Sequence, residues 1–241
     1  MLSAFGRVVK TADLRRKLLF TLAMIVLYRV GTFIPAPGVS YGNVQQCLNA
    51  NVTSGGVYDI VNLFSGGALL QLSIFALGVM PYITASIIIQ LLRVVIPRFQ
   101  ELHDEGAQGQ AKLTQYTRYL TIALALLNAT TIVSMARSGV LLGNCPGIIP
   151  QDDVLHILLI IVTLCAGTTV IMWMGEQITE RGVGNGMSLL IFTSIASSFP
   201  SALGSIQRTH GWGIFAAVCG IGLLVMLAVV YVEQSVRRIP V

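Results

Sequence analysis

Six long apolar stretches constrain this 241-residue chain more than any other feature of its sequence. A helix needs about 20 mainly apolar residues to cross about 30 Å of hydrocarbon. Six stretches approach or exceed that length: residues 18–34, 74–96, 119–136, 155–174, 187–203 and 214–232. Only 10% of the residues are charged, whereas soluble domains carry about 25%. The sequence therefore excludes a soluble domain and predicts an all-α, polytopic transmembrane bundle of six spans.

Basic residues are distributed unevenly among the segments that join these spans. With the N-terminus in the cytoplasm, twelve of the 15 Lys and Arg residues fall on the cytoplasmic side and two on the outer side, while Arg29 lies within the first span. Basic loops stay in the cytoplasm, where they face an anionic leaflet, so this bias predicts the orientation. It also explains the net charge of +5 without nucleic-acid binding. The segment around Arg181, which Glu176 and Glu180 accompany, is placed inside by parity alone.

The spans contain few groups that could perform coupled transport or bond chemistry. Apart from Arg29, Arg93 and His156 they hold no acidic, basic or histidine side chain. Ion-coupled transporters usually place such groups at mid-membrane, and the sequence has no H-E-x-x-H or G-x-S-x-G motif. For Arg29 two interpretations stay open, a head group reaching the outer interface or a buried structural pairing.

The second span carries polar residues and a proline. Pro81 would free the carbonyl of Leu77, and Thr84, Ser86 and Gln90 are polar. One interpretation is close helix packing, with hydroxyl groups bonded across helices. The other is a helix that lines an aqueous path with its polar side toward water.

Residues 59–70, in the long segment between the first two spans, are apolar but interrupted by Gly66 and Gly67. Twelve helical residues extend only about 18 Å, roughly half of the hydrocarbon core. A piece of this length cannot span, and in lipid its backbone groups would lack partners. We expect it to lie against protein or in a cavity as a re-entrant half-helix; an outer interfacial helix is the alternative.

The segment between spans four and five contains Gly182, Gly184 and Gly186. A dinucleotide fingerprint would need a preceding strand and a different glycine spacing, so the segment is interpreted as a helix stop followed by a turn. The four cysteines show no C-x-x-C spacing, which excludes metal and redox motifs. Cys47 and Cys145 fall in predicted outer loops, where a disulfide between them stays open.

Several of these runs together resemble the SecY family of the bacterial protein-conducting channel. The matching residues are 33–38, 62–68, 73–92, 112–119, 172–186 and 237–240. The family has ten spans, built as two inverted five-span halves around an hourglass pore. This chain resembles the first half (residues 1–203, with the half-helix at 59–70) plus a sixth span and the start of the next cytoplasmic loop (204–241). The spans that complete the family's lateral gate would lie in the second half.

The resemblance implies roles for particular residues. A ring of apolar side chains that seals the pore is matched by Ile83, Ile87 and Ile195; Ile83 and Ile87 are i and i+4, so they share a helix face. The plug that closes the channel from outside is matched by Asn62, Leu63, Phe64, Ser65, Gly66, Gly67, Ala68, Leu69 and Leu70. Cytoplasmic partners would dock on Lys112, Arg118, Arg181, Arg237 and Arg238.

The function that the resemblance implies is the pore-forming subunit of the Sec channel in the bacterial cytoplasmic membrane. It would pass unfolded, signal-bearing polypeptides across the membrane or release them sideways into lipid, without bond chemistry, cofactor or metal. The implied partners are SecE, SecG, the SecA motor, the ribosome, signal-bearing preproteins and membrane lipid, with no specific nucleic acid. No G-x-x-x-x-G-K-[ST] loop is present, so a partner would supply the energy.

Three other functions remain alternatives. A small-solute transporter would use the glycine-broken half-helix to bind substrate and would show solute flux without a signal peptide. An intramembrane enzyme would be labelled by an active-site probe at Ser188 or His156. A membrane scaffold would show no flux.

The basic-residue bias predicts which cysteines face the outside. In intact cells a membrane-impermeant maleimide should label Cys47 and Cys145, after reduction if the two are paired, and should leave Cys165 and Cys219 unlabelled. Labelling of Cys47 and Cys145 only after membrane rupture would invert the topology and remove the plug assignment.

Overall fold

The computed structural model describes residues 12–40, 42–44, 67–69, 71–138 and 153–234. The chain forms two compact units, Met1–Ile195 and Ala196–Val241. The described regular structure is helical, with α1 (Ala12–Phe33), α2 (Met80–Val95), α3 (Pro97–Asp104), α4 (Ala107–Arg137), α5 (Val154–Arg181) and α6 (Gly186–Gln234). The predicted all-α class is confirmed. The predicted domain division at residue 203 stays a prediction.

Two prolines decide where α2 and α3 begin. Pro81 lies in the first turn of α2, where its missing N–H costs nothing. The prediction of a helix from Ile74 is therefore wrong, because residues 74–79 form turns and the Leu77 carbonyl belongs to no helix that Pro81 could interrupt. Pro97 opens α3, and Ile96 before it is extended (φ −105°, ψ 111°), as the residue before proline tends to be. The chain bends by 101° between α2 and α3.

The irregular stretch before α2, residues 71–79, is largely buried within unit one and is hydrogen-bonded through its backbone. The Ile74 N–H donates to the Ile34 carbonyl at 2.9 Å, and the Ala36 N–H donates to the Leu72 carbonyl at 2.9 Å. Leu72, 1% exposed, has φ +45°, a value that a side chain rarely permits. These bonds fasten the stretch to the segment that follows α1 and give several of its non-helical backbone groups partners within the protein, as an apolar setting requires.

Two apolar clusters form the core of unit one. In the first, Leu72 and Leu77 of the irregular stretch pack with Ala125 and Ala129 of α4 and Leu164 of α5. The second brings α1 and the stretch together with α5 and the start of α6, through Met24, Tyr28, Phe75, Val79, Ile171, Met172, Met174, Ile178, Met187 and Leu190. The irregular stretch contributes to both clusters and therefore joins them.

Most hydroxyl groups on the helices bond to their own helix. Thr117 and Thr121 of α4 donate to the carbonyls of Leu113 and Thr117, and Thr168 of α5 donates to that of Leu164. Thr84 of α2 donates to the Met80 carbonyl. These hydroxyls follow the i−4 pattern available to threonine in a helix. For Thr84 this differs from the bond across helices that one interpretation of the second span gave.

Arg29 lies within α1, and its guanidinium is 4.9 Å from the centre of the Phe33 ring. The Phe33 ring is one turn further along α1 and 57% exposed. A cation over an aromatic face at this distance is attracted by the ring. The head group is thus directed toward the end of the helix that the topology places outside.

Three helices are long and apolar enough to cross a membrane, Ala107–Arg137, Val154–Arg181 and Gly211–Gln234, and the bent pair α2–α3 can be counted as a fourth. They correspond to predicted spans three, four, six and two. The first predicted span falls in α1, which carries charges near its N-terminal end, and the fifth falls in the shorter apolar helix Gly186–Pro200. The described residues thus carry three or four candidate spans.

The second unit contains most of α6. Gly211 has φ 78° and ψ 179°, a non-helical conformation that glycine adopts without strain. It interrupts α6, and the candidate span Gly211–Gln234 begins there. Trp212 and Phe215 meet edge to face, 5.7 Å apart.

A buried hydrogen bond joins α1 to the start of α6. The Ser194 hydroxyl donates to the Leu190 carbonyl, so the Tyr28 hydroxyl, 2.7 Å from Ser194 Oγ, is left as the donor between them. Tyr28 is fully buried and stacks on Phe75 with ring centres 5.8 Å apart.

We expect Ser194→Ala to destabilise the protein more than Tyr28→Phe. The first leaves the Tyr28 hydroxyl buried without an acceptor, at a cost of about 1–3 kcal/mol, whereas the second removes the donor and loses only the net bond, about 0.5–1.5 kcal/mol. Thermal unfolding of the purified protein in detergent measures both. Thr193→Ala is the matched control, because Thr193 bonds within α6; a Ser194→Ala loss no larger than that of Tyr28→Phe would contradict the assignment of the donor.

Candidate functional site

A polar cavity of about 470 Å³ opens between α2, α4, α5 and the beginning of α6. Its lining comprises Tyr82, Ile83, Ser86, Ile87, Gln90, Thr114, Arg118, Gly175, Glu176, Thr179, Glu180, Asn185, Met187, Ser188 and Ile191. It combines an acidic and amide-bearing part with a patch of isoleucines. In the predicted topology the helix ends that carry its polar groups are the cytoplasmic ones.

One face of α2 supplies the isoleucines and two polar side chains. Ile83, Ser86, Ile87 and Gln90 follow the three- and four-residue spacing of one helix face, while Ala85 and Ile89 are buried on another. Ile88, about 100° further round the helix, is outside the cavity lining. Ser86 and Gln90 thus favour the interpretation of α2 as a helix that lines an aqueous path.

The structure brings two of the three predicted ring residues to the same cavity. Ile83 and Ile87 line it together with Ile191 of α6. Ile195 is half-buried one helical turn beyond Ile191 and is not among the lining residues. Sequence reasoning missed Ile191, although its position four residues before Ile195 on the same helix face was a usable signal.

The glycine-rich turn between α5 and α6 sets how closely these helices approach. A Cβ on Gly186 would collide with the Gly175 carbonyl oxygen, so only glycine permits this packing. Gly184 has φ +75°, which also favours glycine. The Asn185 side chain accepts hydrogen bonds from the N–H groups of Met187 (3.1 Å) and Ser188 (3.4 Å), as an N-cap does. The predicted helix stop and turn therefore also form one wall of the cavity.

An ion pair between α4 and α5 lies on the cavity wall. Arg118 Nε donates to Glu176 Oε1 at 2.9 Å, and its Nη2 donates to Oε2 at 2.7 Å. The Glu176 side chain is 15% exposed and that of Arg118 47%. Two parallel bonds from one guanidinium to one carboxylate make a strong, directional pair. Arg118, predicted as a docking residue, thus has a partner within the chain, 58 residues away in sequence.

The other predicted docking residues lie apart from the cavity or outside the described structure. Lys112 is exposed on α4, 3.7 Å from Glu105, and Arg181 is exposed at the end of α5. Arg237 and Arg238 lie outside the described residues, so the docking assignment stays a prediction.

Only part of the predicted plug is described. Gly67, Ala68 and Leu69 form a turn, and Asn62, Leu63, Phe64, Ser65, Gly66 and Leu70 lie outside the described residues. Ala68 and Leu69 are buried, and Leu69 packs in the first apolar cluster with Leu72 and Leu164. Ala68 and Leu69 thus lie against protein, whereas Gly67 is half-buried.

The residues considered for an enzyme are far apart. Ser188 lines the cavity beside the C-terminal end of α5, whereas His156 is in the first turn of that helix. At 1.5 Å per residue the two ends of the 28-residue α5 are separated by roughly 40 Å. Within the described residues no group of three or more His, Cys, Asp or Glu could hold a metal ion. Cys165 and Cys219 are free thiols, and Cys47 and Cys145 lie outside the described residues.

Similar proteins agree on one family. The family model described as SecY matches residues 73–241. The protein translocase subunits SecY of Micrococcus luteus, Streptomyces scabiei and Mycobacterium tuberculosis (strain ATCC 25618 / H37Rv) are 62%, 57% and 55% identical across the whole chain, which covers 55%, 57% and 55% of their lengths. The chain thus spans about half the length of the curated relatives it matches.

Solved structures share the fold. Sec61 in the canine ribosome-channel complex from the endoplasmic reticulum and a protein conducting channel each match 94% of this chain and 49% of their own, with TM-scores of 0.59 and 20% identity. At that identity the likeness concerns the fold alone, whereas the sequence matches reach over the whole chain. From its helices, its cavity and these matches together, the chain belongs to the SecY family.

Proposed function

We propose that the chain forms the N-terminal part of the pore-forming subunit of a Sec protein-conducting channel. This subunit passes unfolded, signal-bearing polypeptides across the bacterial cytoplasmic membrane or releases them sideways into lipid. The observation that carries the proposal is the pairing of Ile83 and Ile87 on one face of α2, where they border a polar cavity between four helices. Membership of the SecY family supports it, and so do the bacterial relatives.

In this proposal the chain has six spans, with both termini in the cytoplasm. Predicted spans one and five lie in α1 and in Gly186–Pro200. A charged N-terminal end on α1 and a short fifth helix are compatible with spanning, because other helices of a complete channel can surround them. The segments after spans two and four, including α3 and Arg181, then face the cytoplasm.

The partners in this proposal are SecE and SecG in the membrane, and the SecA motor or the ribosome at the cytoplasmic loops. Signal-bearing preproteins are the cargo, and membrane lipid receives the segments that leave sideways. The canine relative occurs in a complex with a ribosome, which supports the ribosome as a partner. Transport rather than bond chemistry is the proposed activity, since Ser188 of α6 lies beside the C-terminal end of α5 whereas His156 is in the first turn of α5.

The seal is formed by Ile83, Ile87 and Ile195, and the plug at residues 62–70 reinforces it from outside. A narrow apolar ring holds water poorly, and an ion there would have to shed its hydration. Ile191 extends the apolar surface on the cavity side.

Ile87→Asn should make the resting channel leak ions, and Ile88→Asn should not. A carboxamide at position 87 offers donors and acceptors to water within the constriction, whereas position 88 is directed away from the cavity. The measurement is resting conductance in planar bilayers, with the complete channel and its companion subunits. Equal conductance in both variants, or a leak from Ile88→Asn alone, would show that the pore-facing side of α2 is assigned wrongly.

Reversing charge at Lys112 or Arg181 should weaken the binding of SecA or the ribosome while leaving membrane insertion intact. Both side chains are exposed, so we expect modest effects that shrink as salt rises. Arg118→Glu would also break the ion pair with Glu176, so an effect of this variant on partner binding would not by itself indicate docking. Arg137→Glu, on the predicted outer side, is the matched control. Unchanged affinity for both partners in both variants at low salt would reduce Lys112 and Arg181 to topology signals.

A further inference from the structure

A second cavity, of about 380 Å³, lies between α4 and α5 and shares a wall with the polar cavity. The surface that lines it is mostly apolar. The residues that supply this surface are Gln115, Arg118, Tyr119, Ile122, Thr169, Met172, Trp173 and Glu176. Arg118 and Glu176 are the residues that line both cavities. Their ion pair therefore stands where the two spaces meet.

The helix faces explain this position. On α4, Thr114 and Arg118 are one turn apart and line the polar cavity, whereas Tyr119 and Ile122 line the second one. On α5, Thr169, Met172 and Trp173 line the second cavity, and Gly175, Thr179 and Glu180 line the polar one. The seam between α4 and α5 divides two environments, and the ion pair crosses that seam.

The second cavity is suited to lipid. Tyr119 is 62% exposed, Trp173 is 52% exposed and Ile122 is 44% exposed, on two helices that are long and apolar enough to cross a membrane. Tyr and Trp favour the headgroup level of a bilayer. Tyr119 begins the predicted span 119–136, and Trp173 lies at the end of the predicted span 155–174, so both are at the side that the topology places toward the cytoplasm. An acyl chain fits the apolar lining there better than water does.

The ion pair connects α4 to α5 at the boundary between the two cavities. Two bonds, of 2.9 and 2.7 Å, hold the guanidinium and the carboxylate together across the seam. Glu176 is the less exposed partner, and an apolar chain that passed this point would have to separate two mutually satisfied charges. That separation would remove two charge-assisted hydrogen bonds.

We propose that the Arg118–Glu176 ion pair is a partition that keeps membrane lipid, held against Tyr119, Ile122 and Trp173, out of the polar cavity. The inference rests on the proposed channel function, for which the cavity must stay free for polypeptide. It concerns the α4–α5 seam, which lies entirely within this chain.

The test places a fluorescent reporter on either side of the partition. In the complete channel, with its native cysteines replaced, a single cysteine at Ser86 (polar cavity) or Ile122 (second cavity) is labelled with bimane. The protein is reconstituted in phospholipid brominated on its acyl chains, which quenches only fluorophores in contact with lipid. In the parent channel the Ile122 reporter should be quenched, and the Ser86 reporter should be quenched by aqueous iodide but not by bromolipid.

Glu176→Ala should make the Ser86 reporter sensitive to bromolipid. Glu180→Ala is the matched control, because it removes another carboxylate from the polar cavity while leaving both hydrogen bonds of the pair in place, and it should leave the reporter unquenched. The exchanged variant Arg118→Glu with Glu176→Arg should restore the parent result. Quenching at Ile122 in every variant shows that the helices and the groove are intact.

Four results would overturn the proposal. The Ser86 reporter could stay unquenched in Glu176→Ala while Ile122 is quenched, or respond equally in Glu176→Ala and Glu180→Ala. If bromolipid quenched the Ser86 reporter in the parent channel, the ion pair would not act as a partition. If bromolipid left the Ile122 reporter unquenched, lipid would not occupy the second cavity. Quenching does not depend on polypeptide transport, so a failure of the proposed function would not alter the quenching of the Ser86 reporter. A channel that transports polypeptide but shows no quenching of Ser86 in Glu176→Ala would refute the partition alone.

Discussion

Satisfaction of backbone hydrogen bonds in an apolar setting is the constraint on which the rest of this structure depends. The stretch before α2 is neither helix nor strand, yet nearly all of it is buried. Several of its N–H and carbonyl groups bond within the stretch, to Ile34 and Ala36, and to Ala68 and Leu69. With these bonds made, Phe75 can stack on Tyr28 and Leu72 can pack toward α4 and α5. The position of α2, and with it the orientation of Ile83 and Ile87, follows from this anchoring.

Features carried by local sequence were predicted well. The spans in α4, α5 and the end of α6 follow from length and apolar content. The common face of Ile83 and Ile87 follows from their spacing and agrees with the cavity lining. The predicted start of the second span failed because apolar content cannot show whether a run such as residues 74–79 is helix or buried turn. Pro81 was interpreted as an interruption, whereas it opens a helix.

Contacts between distant parts of the chain could not be predicted. Arg118 was assigned to docking through the family resemblance, and Glu176 was considered only as a charge near Arg181. Nothing in a single sequence pairs residues that far apart. Likewise, the glycines near residue 184 were seen only as a turn. That Gly186 meets the Gly175 backbone depends on how α5 and α6 fold back on each other. Spacing identifies a helix face, but not which neighbour that face meets.

The threonines of α4 and α5 have a consequence for the alignment of those helices. Since Thr117, Thr121 and Thr168 bond to carbonyls of their own helices, their hydroxyls specify no axial register between α4 and α5. Apolar packing alone tolerates small slips along the helix axis, whereas a forked guanidinium–carboxylate pair is made at one alignment. Arg118 and Glu176 thus add to the apolar packing of the two helices a directional contact that one register satisfies, as a buried polar residue does in a coiled coil.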